Sequence, residues 1–178
     1  MRRGLTKSKN MVSIRILNRI GARYGQEYAT RFGFDPEKNP PYLTLALGAG
    51  ATTPLQMAGA YAVFANGGYR VSPYLTSKVT DSAGKVLSEA RPDRAGTEAT
   101  RVIDARNAFL MDSMLRDVAR YGTAAKASQL LKRNDIAGKT GTTNDSIDAW
   151  FAGYQPKVVG IAWMGYDQPR NLGNKETG

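Results

Sequence analysis

The sequence predicts an α+β fold in which helices precede a small antiparallel sheet. Apolar residues recur at helical spacing in 9–20 and 52–68, in the first half of the chain. Short apolar runs between residues 136 and 167 are typical of neighbouring antiparallel strands. The 178 residues are 42% hydrophobic and 22% charged, as in a folded domain with a core of its own.

The first predicted helix covers Lys9–Ile20, and Gly21 ends it. Its apolar face is predicted to carry Val12, Ile16 and Ile20, with Leu17 beside them. A short amphipathic helix follows within 22–34, ahead of a proline-rich loop.

A clearer helix signal begins at Thr53, a natural N-cap that is followed by Pro54 at the first helical position. Asn66 and Gly67 supply a left-handed exit. Because the segment between them has scarcely a polar face, we expect this helix to be buried.

The next region predicts a hairpin around the turn 81–84, a polar loop over 91–100, and a long helix. Asp104 caps this helix and Gly122 closes it. Its predicted apolar stripe consists of Phe109, Leu110, Met114 and Val118.

Three strands end the predicted fold, and the last two are joined at 155–157. The first strand reads Lys139-Thr140-Gly141-Thr142-Thr143, so Lys139, Gly141 and Thr143 are predicted to share one face. A glycine lets a ligand backbone lie against the strand, and a lysine among hydroxyls suits a carboxylate or a deprotonating hydroxyl. The alternative is a polar edge strand that its lysine protects from aggregation.

The chain contains no cysteine and no histidine, which excludes a Ser-His-Asp triad, a Cys-His pair, thiolate or imidazole zinc sites and disulfides. No metal or cofactor is predicted. The net charge of +10 favours an anionic partner. Nucleic acid is disfavoured because the basic residues are scattered and no aromatic-basic platform accompanies them.

A second short motif, Ser8-Lys9-Asn10, lies just ahead of the first helix. Taken alone, this S-x-N pattern is typical of a helix cap. Together with K-T-G at 139–141 it forms two of the three motifs that serine β-lactamases and penicillin-binding proteins use.

The surroundings of these motifs make the resemblance specific. The segments "LTKSKNMVSIRIL", "LALGAGATTPLQMAGAYAVFANGG", "YGTAAKA" and "GKTGTTNDSIDAWFAGY" resemble the transpeptidase domain of class A, bifunctional penicillin-binding proteins, the 1A type in particular. The likeness runs nearly end to end. It implies a β-lactamase/transpeptidase-like serine acyltransferase fold and peptidoglycan D,D-transpeptidase activity.

The resemblance also implies roles for individual residues. Ser8 and Lys139 would be catalytic, Ser8 by relaying a proton and Lys139 by stabilising an alkoxide and attracting the substrate carboxylate. The Thr142 N–H would form half of an oxyanion hole. Which threonine hydroxyl binds the carboxylate stays open. The substrate-binding residues implied are Asn10, Thr140, Gly141, Thr142 and Thr143.

One departure from the family pattern limits the expected activity. No S-x-x-K motif precedes Ser8, and the one match, Ser82–Lys85, lies in a predicted turn and in the wrong order. We therefore expect residues 1–178 to be a partial transpeptidase domain, from S-x-N to beyond K-T-G, without the nucleophilic serine and a C-terminal stretch. Such a chain alone should be inactive and form no covalent penicillin adduct.

The alternative function is a non-catalytic module that binds peptidoglycan stem peptides or a partner protein; for a β-lactamase, an acid placed for deacylation is missing. The resemblance implies stem peptides, β-lactam antibiotics and other cell-wall synthesis proteins as partners, and no nucleic acid. It also implies a location at the periplasmic face of the bacterial inner membrane, with membrane contact only through parts outside this chain.

Overall fold

The computed structural model describes residues 1–173 and residue 178, and it confirms an α+β fold. Within residues 1–173 the helices α1 to α6 are Arg2–Thr6, Asn10–Ile20, Ala22–Thr30, Pro54–Ala65, Ala105–Tyr121 and Ala125–Leu131. The strands β1 to β7 are Tyr69–Arg70, Lys78–Thr80, Val86–Glu89, Thr100–Arg101, Ala137–Thr142, Ala149–Gln155 and Val158–Met164. Single 3-10 turns cover Leu43–Leu47 and Asn144–Ser146.

The largest sheet of this described part is the antiparallel meander β5-β6-β7, which confirms the predicted three strands and their joint at 155–157. Lys139 is opposite Ala152 in its register. Strand β5 pairs with β6 alone among the described residues, so its other edge is open. Helices α4 and α5 pack on this sheet and on each other.

Two smaller antiparallel pairs lie away from the meander. The predicted hairpin is confirmed as β2–β3, where the Asp81 carboxylate accepts the amides of Ala83 and Lys85 at 3.0 and 2.9 Å. All residues of β2 and β3 are exposed. The pair β1–β4 was not predicted, because Thr100 falls in a segment whose polar composition indicated a loop.

Helix α4 begins and ends as predicted. Thr53 accepts the Gln56 amide at 3.1 Å, and the Gln56 side chain accepts the Thr53 amide at 3.0 Å, which completes a capping box. The prediction that the whole helix is buried is too broad. One face, with Gly59, Ala60 and Val63, is fully buried, whereas the remaining residues are partly or largely exposed.

The caps of α5 are confirmed at Asp104 and Gly122, but the predicted apolar stripe is wrong at Phe109 and Leu110, whereas Val118 is buried and Met114 is half-buried. Phe109 is 69% exposed and Leu110 52%. The buried face instead consists of Ala108, Leu115, Val118 and Ala119. Ala108 packs with Val63 and Ile103, and the helix as a whole packs on β5, so the face that packs holds smaller residues than the face that was predicted.

The predicted helix at 9–20 is confirmed as α2, with Gly21 as its C-cap, and α3 follows as predicted. The buried residue of α2 is Leu17, however, and Ile20 at the end of the predicted face is 49% exposed. Helices α1 and α6 were not predicted. No helix in the described part of the chain has the length and apolar character that crossing a membrane requires.

Candidate active site

The Ser8 loop joins α1 to α2 with a backbone that is unusual for serine. Ser8 has a φ of 49°, in the left-handed region, and its amide donates to the Leu5 carbonyl at 3.1 Å. The N-cap of α2 is Lys9, and no side chain caps that helix. Ser8 is therefore not a helix cap, and its exposed hydroxyl is available for another contact.

That contact comes from Lys139 of β5. The Lys139 Nζ donates to Ser8 Oγ at 2.8 Å and to the Thr140 carbonyl at 2.7 Å. Burial lowers the pKa of the Lys139 ammonium below its ordinary value. No carboxylate lies within ion-pair distance of Lys139 among residues 1–173. The site thus holds a partly desolvated cation whose partners here are neutral.

Helix α1 holds the Ser8 loop against α5. The Arg2 guanidinium donates to the Ser113 carbonyl at 3.0 Å, to Ser113 Oγ at 2.9 Å and to the Asp117 carboxylate at 2.7 Å. At the other end of α1, the Lys7 ammonium donates to the Tyr121 carbonyl at 2.7 Å, where the end of a helix carries partial negative charge. Both ends of α1 are therefore fixed to α5.

Helix α5 also packs against β5. Val118 and Ala119 of α5 and Ala137 of β5 are fully buried, and Leu115 packs in a cluster with Ala137 and Tyr154. Because α5 contacts both α1 and β5, it sets the distance between Ser8 and Lys139.

The open edge of β5 lies beside this pair. The Thr143 amide donates toward β6, to the Asp148 carbonyl at 3.1 Å. Since backbone amides alternate between the two edges of a strand, the Thr142 amide points to the open edge. A side chain at Gly141 would meet Trp150 Cβ at 3.4 Å, an ordinary contact, so packing does not require a glycine there. Packing within the described residues therefore does not explain the glycine at position 141.

Residues 1–173 match the family model described as the penicillin binding protein transpeptidase domain. The chain belongs to this transpeptidase family. It is 54% identical over 173 residues to penicillin-binding protein 1A of Neisseria lactamica, a match that covers 97% of this chain and 22% of that protein. The chain therefore spans about a fifth of the length of that relative.

Solved structures of the transpeptidase family have the same fold. The crystal structure of penicillin-binding protein 1A from Haemophilus influenzae matches with a TM-score of 0.91 and 37% identity, over 99% of this chain and 31% of that one. Penicillin-binding protein A of M. tuberculosis, solved as an imipenem acyl-enzyme complex, matches with a TM-score of 0.72 and 22% identity, over 99% and 44%. The family that the motifs indicated is thereby confirmed.

One residue beside the transpeptidase motif was missed by the sequence analysis. Thr123, just after α5, has its Oγ1 2.7 Å from Thr140 Oγ1, a hydrogen bond in which either hydroxyl can donate. The segment "YGTAAKA" contributed to the resemblance, but no role was assigned to its threonine. A hydroxyl that follows a helix-ending glycine offered no stronger signal in the sequence.

The other predicted site residues differ in their surroundings. Thr142 is exposed and its Oγ1 accepts the Gly178 amide at 3.0 Å. Thr143 lies beyond the end of β5, and its Oγ1 accepts the amides of Ile147 and Asp148 at 3.0 and 2.8 Å. The Thr143 hydroxyl thus organises the following turn, and its predicted role in substrate binding stays a prediction.

Asn10 is the first residue of α2 and is exposed. Its side-chain amide makes no hydrogen bond with the described residues, including Ser8 and Lys139. The structure thus brings Ser8 to Lys139 directly, whereas the Asn10 side chain, at the start of α2, contacts neither of them through a hydrogen bond.

Proposed function

We propose that this chain supplies the S-x-N and K-T-G parts of a D,D-transpeptidase site that cross-links peptidoglycan stem peptides. The observation that carries the proposal is the 2.8 Å contact between Lys139 and Ser8, which are 131 positions apart in sequence. The nucleophilic serine of an S-x-x-K motif is expected on a segment outside residues 1–178.

Lys139 and Ser8 would move and stabilise charge during acyl transfer. The serine oxygen attacks the carbonyl of the D-Ala-D-Ala amide, a C–O bond forms, the C–N bond breaks, and the leaving amine takes up a proton. Ser8 already shares a hydrogen bond with a cation, so its hydroxyl can relay that proton while Lys139 compensates the negative charge. An amine of a neighbouring peptidoglycan strand then attacks the acyl-enzyme, forms the cross-link and releases the serine.

The open edge of β5 would bind the substrate as an added strand. Gly141 lets the stem peptide lie close to the strand, and the outward Thr142 amide supplies one donor of an oxyanion hole. The second donor would be the amide of the nucleophilic serine. The substrate carboxylate would approach Lys139 and the hydroxyls of Thr140 or Thr142, and Asn10 would hold the substrate amide.

The same chemistry extends to β-lactams, whose strained amide would acylate the serine and leave it blocked. The imipenem acyl-enzyme of the M. tuberculosis protein supports this proposal. We also propose that the activity belongs to a longer penicillin-binding protein at the periplasmic face of the bacterial inner membrane, among other cell-wall synthesis proteins.

Labelling with fluorescent penicillin, followed by a denaturing gel and intact mass, tests the proposal. We expect no label on residues 1–178 and a covalent label on a chain extended upstream to its S-x-x-K. In the extended chain, Lys139→Ala should slow labelling by about a hundredfold to a thousandfold, the usual cost of one electrostatic stabiliser. Lys85→Ala, in the exposed β2–β3 hairpin, is the matched control and should label at the parental rate.

Two outcomes would count against transpeptidation. If Lys85→Ala and Lys139→Ala slowed penicillin labelling equally, the lysine of K-T-G would have no specific role in acylation. A folded extended chain that takes no label would favour the non-catalytic module, which binds stem peptides without acyl transfer.

A further inference from the structure

A second cleft, of about 530 Å³, lies where the end of α3 meets the β1–β4 pair. It shares no residue with the site around Lys139, and the inference from it does not rest on the proposed transpeptidase function. The residues that line it are Arg31, Arg70, Ser72, Asp93, Thr100, Arg101 and Val102.

The charges in this cleft are unbalanced. Its three arginines face one carboxylate, that of Asp93. No ion pair joins Asp93 to any of these arginines within the described residues. Like charges that share a cleft repel each other and concentrate positive potential there, which favours an anion.

Packing, rather than an acidic partner, holds two of the arginines. The Arg101 guanidinium lies 4.1 Å from the centre of the Tyr69 ring and donates to Tyr69 Oη at 2.6 Å and to the Gly67 carbonyl at 2.9 Å. The Arg31 guanidinium lies 4.8 Å from the centre of the Tyr28 ring. A guanidinium stacked on an aromatic ring keeps the N–H groups at its edge free for hydrogen bonds.

The third arginine, Arg70, lies against a glycine backbone. Gly33 has a φ of 97°, and a side chain there would bring its Cβ to 3.1 Å from a guanidinium nitrogen of Arg70. Glycine at this position therefore both allows the left-handed backbone and leaves room for the guanidinium. The side chains of Arg31 and Arg70 make no hydrogen bond within the described part of the chain.

We propose that this cleft binds a compact anion that carries two or more carboxylate or phosphate groups. Arg31 and Arg70, whose guanidinium groups donate to no described residue, each present a planar set of donors that matches one carboxylate or phosphate group in a bidentate manner. The hydroxyls of Ser72 and Thr100 line the same cleft and can donate to further oxygens. A volume of several hundred cubic ångströms suits a small molecule.

Isothermal titration of the 178-residue chain with citrate, pyrophosphate and acetate tests the proposal. Citrate and pyrophosphate should bind at least about tenfold more tightly than acetate, because only they engage two arginines at once. The double variant Arg31→Gln/Arg70→Gln should weaken citrate binding by about a hundredfold, or about tenfold for each arginine.

The matched control is Arg15→Gln/Arg19→Gln, which removes the same charge from exposed positions of α2. It should bind citrate with the parental affinity. Equal loss in both double variants would show a general charge effect and overturn the site, as would the absence of citrate binding by the folded parent.

Arg31→Lys/Arg70→Lys keeps the charge and loses the planar donor set, so it serves if the glutamine variant fails to fold. We expect it to bind citrate about tenfold more weakly than the parent. Parental affinity in the lysine variant would overturn bidentate recognition.

Discussion

The site around Lys139 and the β2–β3 hairpin contain the same residue types in opposite surroundings. In the hairpin, Ser82 and Lys85 are three positions apart in sequence and spell S-x-x-K, yet both are exposed on a turn. In the site, Ser8 and Lys139 come from distant segments and meet at 2.8 Å. Closeness in sequence therefore does not by itself bring a serine hydroxyl to a lysine ammonium, whereas packing on a common helix does.

That support is α5, which has no counterpart under the hairpin. It contacts α1 through Arg2 and β5 through its alanine-rich face, so Ser8 and Lys139 have little freedom to separate. Partial burial against these elements also lowers the pKa of Lys139, whereas Lys85 is exposed in a turn. Four predictions use this contrast, from the largest effect to the smallest.

The largest effect is expected from Ser8→Ala in the extended, penicillin-labelled chain. Removing the hydroxyl should slow labelling by about a hundredfold to ten-thousandfold, the range that proton transfer contributes to catalysis. Ser82→Ala supplies the control, since its hydroxyl lies on the exposed turn. Stopped labelling reactions measured on gels give both rates, and a Ser8→Ala rate close to that of Ser82→Ala would contradict the proton relay.

The second contrast concerns packing beneath the two regions. Val118 of α5 is fully buried, and Val118→Ala should lower the free energy of unfolding by about 2 kcal/mol, because it removes two buried methyl groups and leaves a cavity. Val79→Ala in β2, where the side chain is 42% exposed, should change it by less than about 0.5 kcal/mol. Urea unfolding followed by circular dichroism checks both, and similar losses would mean that the hairpin is part of the core.

Local signals explain which parts of the fold could be predicted. Thr53, Pro54 and Gly122 mark helix ends because capping depends on the residue itself and its nearest neighbours in sequence. The three-strand meander could be predicted from the turns between its strands. The buried face of α5 could not be predicted, because its small residues are buried by partners elsewhere in the chain. Ala108 packs with Val63 and Ile103, and the helix as a whole packs on β5. A hydrophobicity pattern predicts that the larger Phe109 is buried. It contains no information on the neighbouring elements against which the smaller residues pack.

The candidate site was predictable only through resemblance. No spacing rule relates Ser8 to Lys139, since five helices (α2 to α6) and four strands (β1 to β4) lie between them in the described chain before β5 returns to α1. Local alternation carries no information on the turn that follows Thr142, where the Thr143 hydroxyl accepts two amides. Thr123 was missed because its only distinction is spatial, a hydroxyl 2.7 Å from Thr140.

The third contrast tests the fixing of α1 on α5. Arg2→Ala removes an ion pair with Asp117 and two hydrogen bonds to Ser113, and we expect it to lower the free energy of unfolding by about 1 kcal/mol. Lys78→Ala breaks the exposed 3.8 Å pair with Glu89 in the hairpin and should cost less than about 0.5 kcal/mol. Thermal unfolding at matched salt measures the difference. Equal effects would mean that Arg2 contributes no more than a surface ion pair.

The last contrast concerns how stability changes with pH in alkaline solution. Burial raises the pKa of Tyr61, on α4 beneath the meander, from about 10 to about 12. Between these values the unfolded chain releases the Tyr61 proton while the folded chain retains it, so stability should fall as pH rises from about 10 to about 12. Below that window this contribution is complete. The hairpin contains no tyrosine and cannot contribute to the part of the slope that comes from tyrosine.

Tyr61→Phe therefore should flatten the decline in the urea midpoint measured at intervals between pH 9 and about 11.5. Tyr154, whose ring lies 6.4 Å from that of Tyr61, has its pKa raised mainly by burial and then by the nearby Asp112 carboxylate. It acts in the same direction, so the double variant Tyr61→Phe/Tyr154→Phe should flatten the curve further. Tyr74→Phe, at an exposed tyrosine, is the control and should leave the slope unchanged. A decline equally steep in all these variants would assign the alkaline loss to lysines instead, and the buried tyrosines under the meander would then have no part in it.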